Sequence, residues 1–217
     1  MAALGRSRQD PPIVLSIQRQ QLNQNQNNNV VTGLLTADEQ VHQATFRREE
    51  DRQRYLLGRA GIRILLANLL GLEPHKLLIK AGSHGKPELV SASHGPPPHF
   101  NITHAGDLIL LAFHPSLAVG VDVEKLDRNC RWDRLAQRVF CKEELAELEQ
   151  LPPGQRSAKM LLFWCRLEAE LKCLGHGLAG LEDRRRRQGK TVKGLAIWDL
   201  CFSLGYCGAV ACMEVAR

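Results

Sequence analysis

Helical periodicity appears twice in this chain of 217 residues, and each time short strand-like runs follow it. The first helical span opens at "TADEQ", where Thr36 and Glu39 have the spacing of a capping box. It continues through "RYLLGRAGIRILLANLLGL", where Leu56, Ile62, Leu65, Leu66, Leu69 and Leu70 supply a face for burial. Gly58 and Gly61 weaken the helix locally. "KLLIKAG" and "DLILLAF" then read as strands. The intervening "SHGKPELVSASHGPPPHFNITHAG" holds prolines that forbid a helix and favour extended backbone or turns. The second round places helices near 133–150 and 156–174, and strands near "LAIWDLCFSL" and "YCGAVACMEV". Helices then strands, twice, predicts an α+β chain of two similar subdomains, each with helices packed on a small antiparallel sheet. The junction falls near residue 117, giving halves 1–117 and 118–217. Residues 18–29, "QRQQLNQNQNNN", cannot bury a core and read as a mobile polar loop.

The second half opens with "AVGVDVEKL" (118–126). In a strand, Val119, Val121 and Val123 take one face, and Asp122 and Glu124 share the other. Neighbouring carboxylates raise each other's pKa unless a cation joins them. A solvated edge and a divalent cation both account for the pattern. "LLFWCRLEAELKCLGHG" (161–177) carries an apolar stripe of Phe163, Leu167, Leu171 and Leu174. Glu168 and Lys172, four apart, share another face. A surface ion pair is the plain reading, yet Leu161 and Cys165 lie on the same side, so that face is not simply solvated.

"GSHGKPEL" (82–89) is a glycine-rich turn with Lys86, compatible with an anion but lacking the P-loop pattern. In "HFNITH" (99–104), Phe100 and Ile102 anchor the strand, while Thr103 and His104 are able donors to phosphate. "FRREEDRQR" (46–54) mixes both charges, as solvated helix faces do. "RRRR" (184–187) is either a solvated loop or a dock for an acidic partner.

The net charge of +6 points to an anionic partner, and an aromatic content of 5% argues against base-stacking platforms. Seven scattered cysteines without a CxxC pair argue against a disulfide framework or zinc site and fit a reducing cytoplasm. No apolar run approaches a membrane span, and the N-terminal stretch lacks a signal peptide's apolar centre.

"GKPEL", "HFNITH", "AVGVDVEKL", "RVFCKEE" and "FWCRLEAELKCLGHGL", in that order, resemble the 4′-phosphopantetheinyl transferase superfamily, in its longer surfactin-synthetase-activating form. The likeness runs from about Leu34 to the C-terminus. It implies two pseudo-two-fold related halves, with coenzyme A contacts in the first and metal and catalytic residues in the second. The implied reaction moves phosphopantetheine from coenzyme A to a serine of an acidic apo carrier protein. By resemblance, Asp122, Glu124 and Glu168 are ligands of Mg²⁺, and Glu168 and Lys172 are catalytic. Lys86, Thr103 and His104 hold phosphates, the 3′-phosphate lying near His104. Glu50 stands where relatives place a basic residue; Arg47, Arg48, Arg54 or His42 could compensate, and Arg54 is carried as the cofactor contact. Leu167 replaces a lysine. Cys141 replaces a better helix cap than a thiol.

Expected partners are coenzyme A and a carrier, with no nucleic acid and no membrane, and a monomer is expected. Two rivals stay open. A metal-dependent phosphohydrolase or nuclease would use the same carboxylates. A non-catalytic basic module would need only the charge.

Overall fold

The computed structural model describes residues 11–22, 28–90, 96–127, 132–202 and 205–214. Strand β1 (Ile13–Gln18) comes first, then the short helices α1 (Asn28–Thr32) and α2 (Ala37–Ala44) and the long helix α3 (Glu49–Leu70). A small hairpin follows, β2 (Ile79–Ala81) against β3 (Pro87–Leu89), then β4 (His99–Ala105), β5 (Leu108–His114) and β6 (Leu117–Lys125). Helices α4 (Trp132–Val139), α5 (Lys142–Gln150), α6 (Pro153–Leu174) and α7 (Gly180–Arg186) precede β7 (Leu195–Phe202) and β8 (Tyr206–Glu214). The chain is α+β, with two three-stranded antiparallel sheets ordered β1-β5-β4 and β6-β8-β7.

The capping box at Thr36 forms: Glu39 N–H donates to Thr36 Oγ1 at 3.3 Å, and Thr36 N–H to Glu39 Oε2 at 3.0 Å. Glu39 also accepts from the fully buried Arg63 Nε at 2.8 Å, which fixes α2 to α3. The first expected helix breaks between α2 and α3, and the span 133–150 breaks at Phe140–Cys141. There the Glu144 carboxylate accepts from Cys141 N–H at 2.9 Å, the reciprocal half of a capping box in which the Cys141 thiol faces the N–H of Glu144. The polar tract is not one loop. Gln18 ends β1, and Arg19 pairs with Asp107 at 2.6 Å; residues 23–27 lie outside the described residues.

Every residue of β5 is buried. Leu108, Leu110 and Ala112 pack on Val119, Val121 and Val123 of β6 and Val210 of β8. Ile109 and Leu111, on the opposite face, pack on Leu56, Leu57 and Ala60 of α3. Beyond the second sheet, Cys165, Ala169 and Cys173 of α6 meet Ala209 and Ala211 of β8. The layers are therefore α3, first sheet, second sheet, α6. Helix α6 is buried on a second side too, where Phe163, Leu167 and Leu171 pack on Ala136, Val139, Phe140 and Leu148. Each fully buried leucine contributes roughly 1.5–3 kcal/mol. Among the described residues, no helix is long and apolar enough to cross a membrane.

Candidate active site

Helix α6 and strand β6 touch at backbone distance. A Cβ on Gly120 would stand 2.1 Å from Ala169 O and 2.3 Å from Cys173 N, so only glycine permits this approach. The seat brings Asp122, two residues along β6, opposite Lys172, and Lys172 Nζ lies 2.6 Å from Asp122 Oδ1. Strand β4 runs along the free edge of β6. Asn101 Oδ1 accepts from Val121 N–H at 2.9 Å, and Thr103 Oγ1 donates to Asp122 Oδ1 at 3.2 Å. Asn101 and Thr103 are both buried where the two sheets meet.

Asp122, Glu124, Glu168 and Lys172 line one cavity of about 350 Å³ with Thr103, His104 and Trp164. Trp164 went unmarked as a site residue in the sequence, although its position four before Glu168 puts it on the same helix face. Among the described residues, no three His, Cys, Asp or Glu side chains form a group that could hold a metal ion. The three carboxylates share a wall without being drawn together, and Asp122 Oδ1 is taken up by Lys172. The donor set still suits a hard cation. Asp122 is 5% exposed, and its Oδ2 has no hydrogen-bond partner among the described residues. Such an orphaned acceptor costs on the order of 1–3 kcal/mol, more when charged, and a bound cation would offset it.

His104 also lines a second cavity, of about 210 Å³, with Arg54, Tyr55, Arg59 and Pro87. Arg54 donates to Gly106 O at 2.9 Å and pairs with Asp51, and its Nε has no partner among the described residues. The Arg54 hydrogen bond holds the Asp51 carboxyl below its usual range. Partial burial, then the Arg54 and Lys172 charges, push the His104 imidazole below its ordinary pKa. Arg59 is a further cation at this cavity, set 5.5 Å over the Tyr55 ring. His42 packs edge-on against Phe46 and tilted against Tyr55 instead, with centroids 5.3 and 5.1 Å away.

Lys86 lines neither cavity; its Nζ donates to Val119 O and Lys172 O, both at 2.8 Å. The basic run is only partly open. Arg184 is buried and binds Glu144 at 2.7 Å, and Arg187 binds the buried Glu170 at 2.7 Å. Only Arg185 and Arg186 of the four are exposed.

A sequence model described as 4′-phosphopantetheinyl transferase, N-terminal, matches residues 5–116, and one described as the 4′-phosphopantetheinyl transferase superfamily matches residues 118–193. The chain belongs to the 4′-phosphopantetheinyl transferase superfamily. It is 33% identical over 149 residues to the 4′-phosphopantetheinyl transferase HetI of Nostoc sp., covering 69% of this chain and 63% of that one. The phosphopantetheinyl transferase of Thraustochytrium sp. is 29% identical over 177 residues, 76% of this chain and 61% of that one. The 4′-phosphopantetheinyl transferase of Bacillus subtilis is 31% identical over 134 residues, 62% and 57% of the two chains. The matched stretch thus spans about three-fifths of these curated relatives.

Proposed function

We propose that the chain transfers 4′-phosphopantetheine from coenzyme A to a serine of an apo carrier protein, releasing adenosine 3′,5′-bisphosphate. The carrier belongs to fatty-acid, polyketide or peptide synthesis. The observation that carries this reading is the shared cavity. Phosphate donors from β4, carboxylates from β6, and a carboxylate with an ammonium from α6 line one wall.

Thr103, His104 and Arg54 bind the phosphates of coenzyme A. Asp122, Glu124 and Glu168 would hold Mg²⁺, which when bound neutralises pyrophosphate charge. Glu168 takes the proton of the serine hydroxyl. The serine oxygen attacks the phosphorus on the pantetheine side, and the bond from that phosphorus to the bridging oxygen breaks. The electron pair leaves on the adenosine bisphosphate. Lys172, held at the cavity wall by Asp122 and Thr103, stabilises or protonates that oxygen as its charge grows.

We divide the work at residue 117, with coenzyme A gripped by the first half and chemistry in the second. The net charge of +6 suits an acidic carrier, and the free thiols among the described residues suit the cytoplasm. Release of adenosine bisphosphate tests the reading. It should require coenzyme A, Mg²⁺ and an apo carrier, and should stop in EDTA. Release without a carrier would favour a hydrolase instead.

A further inference from the structure

Helix α6 ends at Gly175, in left-handed backbone with φ 70°. The N–H groups of Gly175 and His176 both donate to Leu171 O. His176 is the residue whose N–H would serve Lys172 O in a continuing helix, so that carbonyl has lost its helical partner. Carbonyls at a helix C-terminus also carry the negative end of the dipole.

The turn before β3 answers this need. Lys86 Nζ donates to Lys172 O at 2.8 Å and to Val119 O at 2.8 Å. His84 Nδ1 lies 3.0 Å from Gly175 O. His84 holds a positive φ of 59°, rare for a residue with a side chain, and its ring packs on Gly177. The glycine-rich turn, which in sequence is compatible with an anion or with an ordinary turn, is folded onto the end of α6. Burial of the Lys86 ammonium pushes its pKa down, and two carbonyls replace the water it gives up.

The two carbonyls belong to the two partners of the site. Lys172 O is on the residue whose Nζ meets Asp122, and Val119 is three residues before Asp122 on β6. We propose that Lys86 is a positioning residue, whose ammonium clamps the last turn of α6 to β6 and so sets Lys172 and Glu168 against Asp122, rather than a ligand of coenzyme A phosphates. This rests on the transferase reading of the cavity. Small displacements suffice, since a misplacement of about 1 Å can cost roughly 100-fold in rate.

The test compares the wild type with Lys86→Ala and Lys86→Gln, with backbone amide exchange measured beside steady-state kinetics. Lys86→Ala should lose roughly tenfold or more in kcat at saturating coenzyme A, with KM for coenzyme A within about twofold. Amides of Cys173–His176 should exchange faster. Glutamine, uncharged but able to donate to a carbonyl, should recover part of both losses. A KM for coenzyme A raised roughly tenfold with kcat intact would make Lys86 a phosphate ligand and overturn the proposal. So would unchanged exchange, no recovery with glutamine, or unfolding of both variants, which would make the role purely structural. If the wild type transfers nothing to any carrier, the transferase reading fails, and the exchange comparison still decides whether the clamp exists.

Discussion

Lys172 Nζ, Thr103 Oγ1 and Asp122 Oδ1 form a closed contact at the cavity wall, with the ammonium 2.6 Å from the carboxylate. If Lys172 serves the departing phosphate, Lys172→Ala should cut kcat at least roughly 100-fold with a smaller change in KM for coenzyme A. Lys172→Arg should recover charge but not proton donation, because guanidinium hardly gives up a proton near neutral pH. Single-turnover rates check this, and full turnover in the arginine variant would remove the general-acid role. His104 gives a pH signature. Partial burial and the Arg54 and Lys172 charges lower its pKa in the free protein. A phosphate dianion at the ring would raise that pKa, so binding would take up a proton. Coenzyme A should then bind more tightly as pH falls from about 8 to about 6, levelling off below the free pKa, and His104→Gln should flatten this dependence relative to the wild type. Identical profiles in both proteins would separate His104 from phosphate. The spacing of Asp122 with Glu124, and of Glu168 with Lys172, was legible because it is local to one strand and one helix. The Thr103–Asp122 bond was not, because it joins strands of different sheets. Lys86 shows the same limit: a lysine in a glycine-rich turn is compatible with phosphate or carbonyl, and only tertiary packing selects the carbonyls.

Strand β6 seats on α6 through Gly120, and nothing in that contact can yield to a side chain because the opposing atoms are backbone. Gly120→Ala should destabilise the protein by at least about 2 kcal/mol and lower transfer, read from urea unfolding and activity together. A change within about 0.5 kcal/mol would mean that the helix sits farther from the strand. Helix α7 is tied in by charge. Removing one partner of a buried pair costs about 3–5 kcal/mol, so Arg184→Ser should lower Tm markedly. The 71% exposed side chain of Arg186 pairs only on the surface with Glu182 and Asp183, so Arg186→Ser should leave Tm nearly unchanged. Equal Tm changes would contradict this division of the run. Four consecutive arginines look alike in sequence, and only tertiary packing decides which meet Glu144 and Glu170. Strand β1 went unread because "IVLSIQ" is short and runs into the polar tract, whereas α3 and α6 announced themselves through long periodicity. The breaks at 45–48 and 140–141 were missed because the flanking residues keep helical composition.

Two sheets packed face to face, with a 22-residue helix outside each, place the cavity where β4 of one sheet meets β6 of the other. The alternation of helices and strands made the α+β class legible. It could not show that β5 is central to the first sheet, or that its two faces serve two different layers. A site built across that seam needs both sheets, which is why its residues are scattered from Arg54 to Lys172. The transfer itself is open to a direct measurement. Intact-mass measurement of several apo carrier proteins, incubated with the protein, coenzyme A and Mg²⁺, tests it most directly. At least one carrier should gain a single phosphopantetheine on a serine, Glu168→Gln should give at most a trace of this product, and EDTA should prevent it. No mass gain on any carrier, with the protein folded and coenzyme A intact, would contradict the transferase reading.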